Sequence, residues 1–263
     1  MHKTREVGVR FRCRTDDGVE LSGAHLERRG VRSAEPDSRP GGPAFVIGHG
    51  FTHSISEPVT RAVLTAFTAH GGVLAADFRG HGRSGGRSSV GRDETLDLDA
   101  VVRRARDLGY GPVCVVGFSM GAAVALRQAA VGESPGDSVV SVSSPSRWYV
   151  RESKPMRRLQ WLLENPARRP IGRALGVRLG EPWFDLPVSP IEAVGTITGP
   201  LLLVQGTADR YFTSAHARLL RAAAGGSAEL WIEAGMGHGE TATTPALVER
   251  IAGWAIEQTL ATR

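Results

Sequence analysis

The 263-residue sequence predicts an α/β fold in which a mostly parallel sheet carries helices on both faces. Two patterns predict it. Short runs that are apolar throughout recur along the chain, as parallel strands buried on both faces require. Segments of helical period lie between them, so each strand returns to the sheet by a right-handed crossover. The bulk numbers agree. A hydrophobic fraction of 41% and a mean hydropathy of −0.14 describe a globular chain, and the length fits one domain with a sizeable core.

Two alternating runs open the chain, Val7–Arg14 and Val19–Glu27, joined by Asp16-Asp17-Gly18, an Asp-Gly hairpin signal. A polar stretch, Arg28–Gly42, reads as a surface loop. The strand-helix alternation then begins: Ala44–Ile47 with a helix near Val59–His70, Val73–Ala76 with one near Thr95–Leu108, and Val113–Gly117 with Met120–Val131. Ser138–Val142 follows as a strand. The alternation resumes with Leu201–Val204, a helix near Ser214–Ala224, the strand Glu229–Ile232 and a helix near Pro245–Thr259. Between them, residues 144–190 break the pattern with Trp, Arg, Leu and Pro. A structureless loop of that length is improbable, so a mainly helical cap insertion is expected there, with 1–143 and 191–263 forming the core domain.

Several classes of protein are disfavoured. No stretch of 18 apolar residues occurs, so no membrane-spanning helix is expected. The first residues, Met1 to Glu6, lead into a strand-like segment rather than an apolar one, so no cleavable leader is expected and the cytoplasm is the expected location. Cys13 and Cys114 both fall within strands, and two cysteines make neither a disulfide framework nor a zinc site. The pI of about 9.8 reflects scattered arginines and a net charge of only +5, without a lysine-rich run or aromatic-interleaved stripe. No nucleic-acid partner is expected.

The chemistry centres on Gly117-Phe118-Ser119-Met120-Gly121. By itself this pattern is weak in a chain with 33 glycines. Its context is specific: a buried strand precedes it and a helix of small residues, Ala122 to Leu126, follows. A strand reversing so sharply into a helix forces its central serine into a strained conformation that lifts the hydroxyl clear of the sheet. The helix N-terminus supplies free N–H groups and partial positive charge. Ser119 is the candidate nucleophile.

Of eight histidines, His238 is the candidate general base. It lies in Gly235-Met236-Gly237-His238-Gly239, just past the last strand, at the sheet edge where ligands bind. His25 and His70 read as structural, and His53, His81 and His216 as polar surface groups. A third group must fix the imidazole tautomer. Asp209 follows the strand Leu201–Val204 at its carboxyl end. Asp185 lies in the insertion and Asp137 at the start of a strand, the wrong edge. The chain order Ser119, Asp209, His238 fits this architecture.

Acyl transfer places negative charge on the former carbonyl oxygen, which two preorganised N–H donors would stabilise. Met120 supplies one. The loop Gly48-His49-Gly50-Phe51-Thr52-His53 supplies the other, expected from Phe51, while His49 is expected to play a structural role at the strand end.

With these segments in place, the chain from Ala44 onward resembles the α/β-hydrolase superfamily. His49-Gly50 is similar to its oxyanion loop, Asp77–Ser84 to the loop after its fourth strand, Gly117–Gly121 to its nucleophile elbow, and Gly206–Asp209 and Gly237-His238 to its acid and base segments. The resemblance implies an α/β-hydrolase fold and a carboxylesterase-like serine hydrolase of EC class 3.1.1. The Gly50-Phe51-Thr52 sequence resembles small esterases and the serine-aminopeptidase-like and monoacylglycerol-lipase-like branches. A serine at the elbow sets the chain apart from the haloalkane dehalogenases and epoxide hydrolases, which carry aspartate there. No metal or organic cofactor is required, and the expected partner is a small-molecule acyl substrate. A thioesterase, acyltransferase or perhydrolase using the same triad stays open, as does a non-catalytic binding protein. The insertion carries nine Lys or Arg residues against four acids, together with Trp148, Tyr149, Trp161, Trp183 and Phe184. An attraction for anionic acyl carriers is one reading, and amphipathic helices with solvated outer faces the other. Oligomeric state is not readable.

Overall fold

Alternate residues of each apolar strand turn to opposite faces of one sheet, and so the sequence builds two cores. The computed structural model describes residues 8–30, 41–165, 167–183, 185–226 and 228–261. Val7, residues 31–40 of the expected loop, and Phe184 lie outside them.

The strands are β1 (Val9–Arg14), β2 (Glu20–Leu26), β3 (Ala44–Gly48), β4 (Gly72–Ala76), β5 (Val113–Phe118), β6 (Ser138–Val142), β7 (Leu201–Gly206) and β8 (Ala228–Glu233). They form one sheet in the order β1-β2-β4-β3-β5-β6-β7-β8. β2 runs antiparallel to both its neighbours, and every pairing from β4 to β8 is parallel. The helices are α1 (Pro58–Phe67), α2 (Glu94–Asp107), α3 (Met120–Val131), α4 (Lys154–Glu164), α5 (Arg168–Ala174), the short α6 (Pro190–Ala193), α7 (Ser214–Ala223) and α8 (Pro245–Ala261).

On one face, Val46, Leu74, Val115 and Leu203 pack with Leu98 and Val102 of α2, Val124 and Leu126 of α3, and Leu220 of α7. On the other, Phe45, Val73, Val116 and Leu202 meet Leu64 and Phe67 of α1 and Val248 and Ile251 of α8. This is the doubly covered sheet that the apolar runs predict. Cys114 is buried in β5 and Cys13 is partly buried in β1, both as free thiols. No helix among the described residues is long and apolar enough to cross a membrane.

Residues 144–190 leave the sheet after β6 and contain α4 and α5. Their later part is stitched to the loop after β4 by backbone hydrogen bonds: Arg178 N–H to Gly80 O and Ser88 N–H to Arg178 O, both at 2.8 Å, and Gly180 N–H to Ser88 O at 2.8 Å. Their start is tied to α7, where His216 Nδ1 accepts the Ser146 N–H at 3.1 Å. His216 is therefore buried, not a surface group, because its partner arrives from a distant segment.

The loop after β4 is held by charge. Arg79 donates Nε to Asp97 Oδ1 at 2.9 Å and Nη1 to Asp17 Oδ2 at 2.6 Å. Asp77 accepts the N–H groups of Ile55 at 2.8 Å and Arg83 at 2.9 Å. These contacts give the loop a structural role.

Candidate active site

β5 delivers Ser119 to the sheet's carboxyl edge, and α3 begins at the next residue. Ser119 stands at φ 54°, ψ −114°, a conformation that a non-glycine residue holds only when its surroundings impose it. Here they do. The Ser119 N–H donates to Val142 O at 2.9 Å, so β6 fixes the turn from one side. On the other, Cβ atoms built at Gly117 and Gly121 would sit 2.1 Å from Gly121 O and 2.3 Å from Gly48 O. Only hydrogen fits at either position, which is the physical content of the Gly-x-Ser-x-Gly pattern.

Ser119 Oγ lies 2.8 Å from His238 Nε2, and His238 Nδ1 lies 2.8 Å from Asp209 Oδ2. The structure thus brings together the three side chains singled out from sequence. Asp209 Oδ1 accepts N–H bonds from Tyr211 at 2.7 Å and Phe212 at 3.1 Å, and Oδ2 also accepts from Gln205 Nε2 at 3.0 Å. Burial pushes the Asp209 carboxyl up, but the hydrogen bond and charge of His238 and these backbone N–H groups outweigh it and hold the group below the usual carboxylate range. An ionised Asp209 requires the proton on His238 Nδ1, which leaves the Nε2 lone pair for the serine hydroxyl. Tyr211 stacks on the imidazole with centroids 4.3 Å apart, and Phe212 meets it edge-on at 5.5 Å. Asp137 lies at the opposite edge, accepting the Val113 N–H at 2.7 Å, and Asp185 is exposed.

Two N–H groups beside the serine remain available. Among the described residues, neither Phe51 nor Met120 donates its backbone N–H to a protein acceptor. The Phe51 loop is held at both carbonyls. His49 is buried with Nε2 accepting the Phe78 N–H at 3.0 Å, so Nδ1 carries the proton and donates to Gly50 O at 2.8 Å. Burial lowers its pKa to about 4, consistent with a neutral structural ring. His81 Nε2 lies 2.5 Å from Phe51 O. His81, expected at the surface, is only 1% exposed, because it bridges two loops 30 residues apart.

Two further residues escape a reading of sequence. Gln205 is a polar residue ending an apolar strand, and it holds both Asp209 and Phe212 O, the latter at 2.9 Å. Glu240 follows His238 by two positions and is buried. Its Oε1 accepts the Gly50 N–H at 2.6 Å and lies 3.2 Å from His53 Nδ1, close enough to pair but not aligned as a hydrogen bond. Burial raises the Glu240 carboxyl, yet His53 and the surrounding N–H groups bring it below its ordinary value. The same carboxylate lifts His53 above the ordinary histidine value. His53 is thus half-buried and paired with a buried carboxylate, not a free surface group. On the loop that carries His238, Gly239 N–H donates to Ser143 Oγ at 3.2 Å.

Above the serine lies a cavity of about 580 Å³. Trp148, Met156, Leu159, Leu162 and Phe212 give it an apolar wall, and Ser119, Phe51, Met120 and His238 form its floor. Several basic residues of 144–190 are engaged locally: Arg151 pairs with Glu164, Arg169 with Glu181, and Arg157 and Arg168 donate to backbone carbonyls.

A parallel sheet with its polar groups gathered beyond the carboxyl ends of the strands defines a class of α/β proteins that bind ligands at that edge. Within it, a model of the alpha/beta hydrolase family matches residues 45–251, and the chain belongs to that family. An esterase of Pyrococcus furiosus shares the fold with a TM-score of 0.74 at 23% identity, over 97% of this chain and 91% of that one. Est1E of Butyrivibrio proteoclasticus matches with a TM-score of 0.62 at 18% identity, over 95% and 98% of the two chains. A puromycin hydrolase matches at 0.68 and 17% identity over 96% of this chain, which spans 38% of that larger protein.

Proposed function

We propose that the protein is a serine hydrolase that cleaves a carboxylic ester of a small molecule with an apolar acyl group. The observation that carries this reading is the hydrogen-bonded row from Ser119 through His238 to Asp209, beside two unengaged backbone N–H groups. Ser119 Oγ attacks the carbonyl carbon as His238 Nε2 takes its proton. The Phe51 and Met120 N–H groups receive the oxyanion, and α3 adds the field of its N-terminus. His238 then returns the proton to the departing alcohol, leaving an acyl-enzyme. Water, deprotonated by the same nitrogen, releases the acid. Asp209 stays ionised and keeps the imidazole in the tautomer that both steps use.

Residues 144–190 serve as the cap in this proposal. Their aromatic and aliphatic side chains cover the serine and supply the apolar wall that takes the acyl group. The Pyrococcus furiosus esterase that shares the fold supports the choice of bond.

The test is turnover of short p-nitrophenyl esters by wild type and Ser119→Ala, with the matching thioesters and arylamides alongside. Loss of ester turnover in the variant by about 10³-fold or more is expected, since only binding and oxyanion stabilisation would remain. Undiminished turnover overturns the assignment.

A further inference from the structure

A second cavity of about 320 Å³ lies beside the one above the serine. The two share four wall residues: Val90, Gln160, Leu163 and Trp183. We propose that Val90 is the partition between a proximal acyl pocket and a distal acyl subsite, and that it sets the chain length the protein accepts. The proposal rests on the ester-hydrolase reading above.

Val90 stands at φ 56°. A β-branched residue is among the least suited to the left-handed region, and such strain persists only where the surroundings over-determine it. The surroundings of Val90 do so. Its N–H donates to Ser88 Oγ at 3.1 Å. The Glu94 carboxylate, fully buried at the start of α2, accepts Ser88 Oγ at 2.8 Å, the Ser89 N–H at 3.0 Å, Ser89 Oγ at 2.8 Å and the Gly91 N–H at 2.7 Å. Arg127 clamps the carbonyls of Gly91 and Arg92 from α3. The Trp148 ring rests on Gly91, where an added Cβ would meet it at 2.6 Å. One short turn is therefore fixed from α2, α3 and the cap at once. What it presents to both cavities is an isopropyl group on a backbone that would be relaxed with glycine.

The other partition residues define how the wall can open. Trp183 is pinned by its Nε1–H to Ser89 O at 2.6 Å and meets Trp148 edge-on at 5.5 Å. Gln160 donates to Trp148 O at 2.9 Å. Leu163 has no polar anchor and can change rotamer. Removing the Val90 side chain joins the two spaces, so that an acyl chain too long for the proximal pocket continues past the turn. A bulkier residue shortens the proximal pocket.

The experiment compares wild type, Val90→Gly and Val90→Phe on a graded series of p-nitrophenyl esters from butanoate to dodecanoate. The readout is the ratio of kcat/KM for the dodecanoate to that for the hexanoate, which is independent of any general change in rate. Each further methylene buried multiplies kcat/KM roughly fourfold, so opening the partition to two of them raises the ratio by about tenfold or more in Val90→Gly. In Val90→Phe the ratio falls and the preferred chain shortens. Leu163→Ala opens the same wall from α4 and raises the ratio even if a Val90 variant fails to fold. A ratio within about twofold of wild type in every folded variant overturns the proposal. Hydrolysis that survives Ser119→Ala would instead strike the underlying function, so the two failures are distinguishable.

Discussion

Glu240 Oε1 accepts the Gly50 N–H at 2.6 Å, joining the loop that carries His238 to the loop that carries Phe51. The two segments are 190 residues apart in sequence, and one buried carboxylate sets their relative position beside Ser119. It also occupies the Gly50 N–H, while the neighbouring Phe51 N–H has no protein acceptor among the described residues.

Replacing Glu240 by Ala leaves a buried N–H unpaired, which costs about 1–3 kcal/mol of stability. It also loosens the loop that carries Phe51. Displacements of this kind can lower turnover by about 10²-fold, expressed in kcat more than in KM. Glu240→Gln keeps an acceptor for Gly50 and should recover most of the lost turnover. Thermal melting and ester kinetics on the two variants check both statements.

The Glu240–His53 pair makes stability depend on pH in a defined window. His53 is raised in the folded protein, so its contribution is fully present below the ordinary histidine value of 6.5 and is lost as pH rises through the folded value. Glu240 is lowered, so its contribution is present above the ordinary glutamate value of 4.5 and is lost as pH falls through the folded value. The pair is at full strength between 4.5 and 6.5. The difference in Tm between wild type and His53→Gln should be greatest in that window and should shrink towards pH 9. A difference constant across the range contradicts the pairing.

Asp209→Asn is expected to fold and to lose most of its turnover. The side-chain oxygen of Asn would stay with the Tyr211 and Phe212 N–H groups, turning the amide NH₂ towards His238 Nδ1. That arrangement moves the imidazole proton to Nε2, where it faces the serine hydroxyl. A fall in kcat of about 10⁴-fold is the expected outcome, with a modest fall in Tm because the Asn amide NH₂ also meets the Gln205 Nε2 donor that Oδ2 accepts in the native site.

Two structural substitutions test the scaffold beneath the site. Gly121→Ala drives a methyl group towards Gly48 O and should displace the oxyanion loop or prevent folding. Phe67→Ala removes a fully buried ring that packs 4.9 Å from Phe45, and should cost about 3–5 kcal/mol without altering the site's chemistry. Soluble yield, melting and kinetics of the folded fraction distinguish the two effects.

The central strands β3, β4, β5 and β7 were legible because each is buried and largely apolar on both faces, a pattern that neither loops nor surface strands sustain. Ser119 and Asp209 were legible for a related reason: each lies just past such a strand, and His238 follows the edge strand β8, so finding the strands locates the edge where the three meet. The glycines of the elbow are a local demand of a tight turn and show in five consecutive residues. What stayed hidden depends on contacts between distant segments. His81 and His216 look like loop and helix-surface residues until Phe51 and Ser146 arrive beside them. Glu240 gives no sign in its own neighbourhood that its partner is Gly50. Val90 is an ordinary apolar residue in sequence, and its left-handed backbone exists only because Glu94, Arg127 and Trp148 close around it.

Intact-mass and peptide mapping of the protein after reaction with a fluorophosphonate reach the central claim most directly. A single phosphonyl adduct on Ser119, formed quickly in wild type and suppressed in His238→Ala, is the predicted result. No adduct, or one on another residue with Ser119 untouched, would contradict the account.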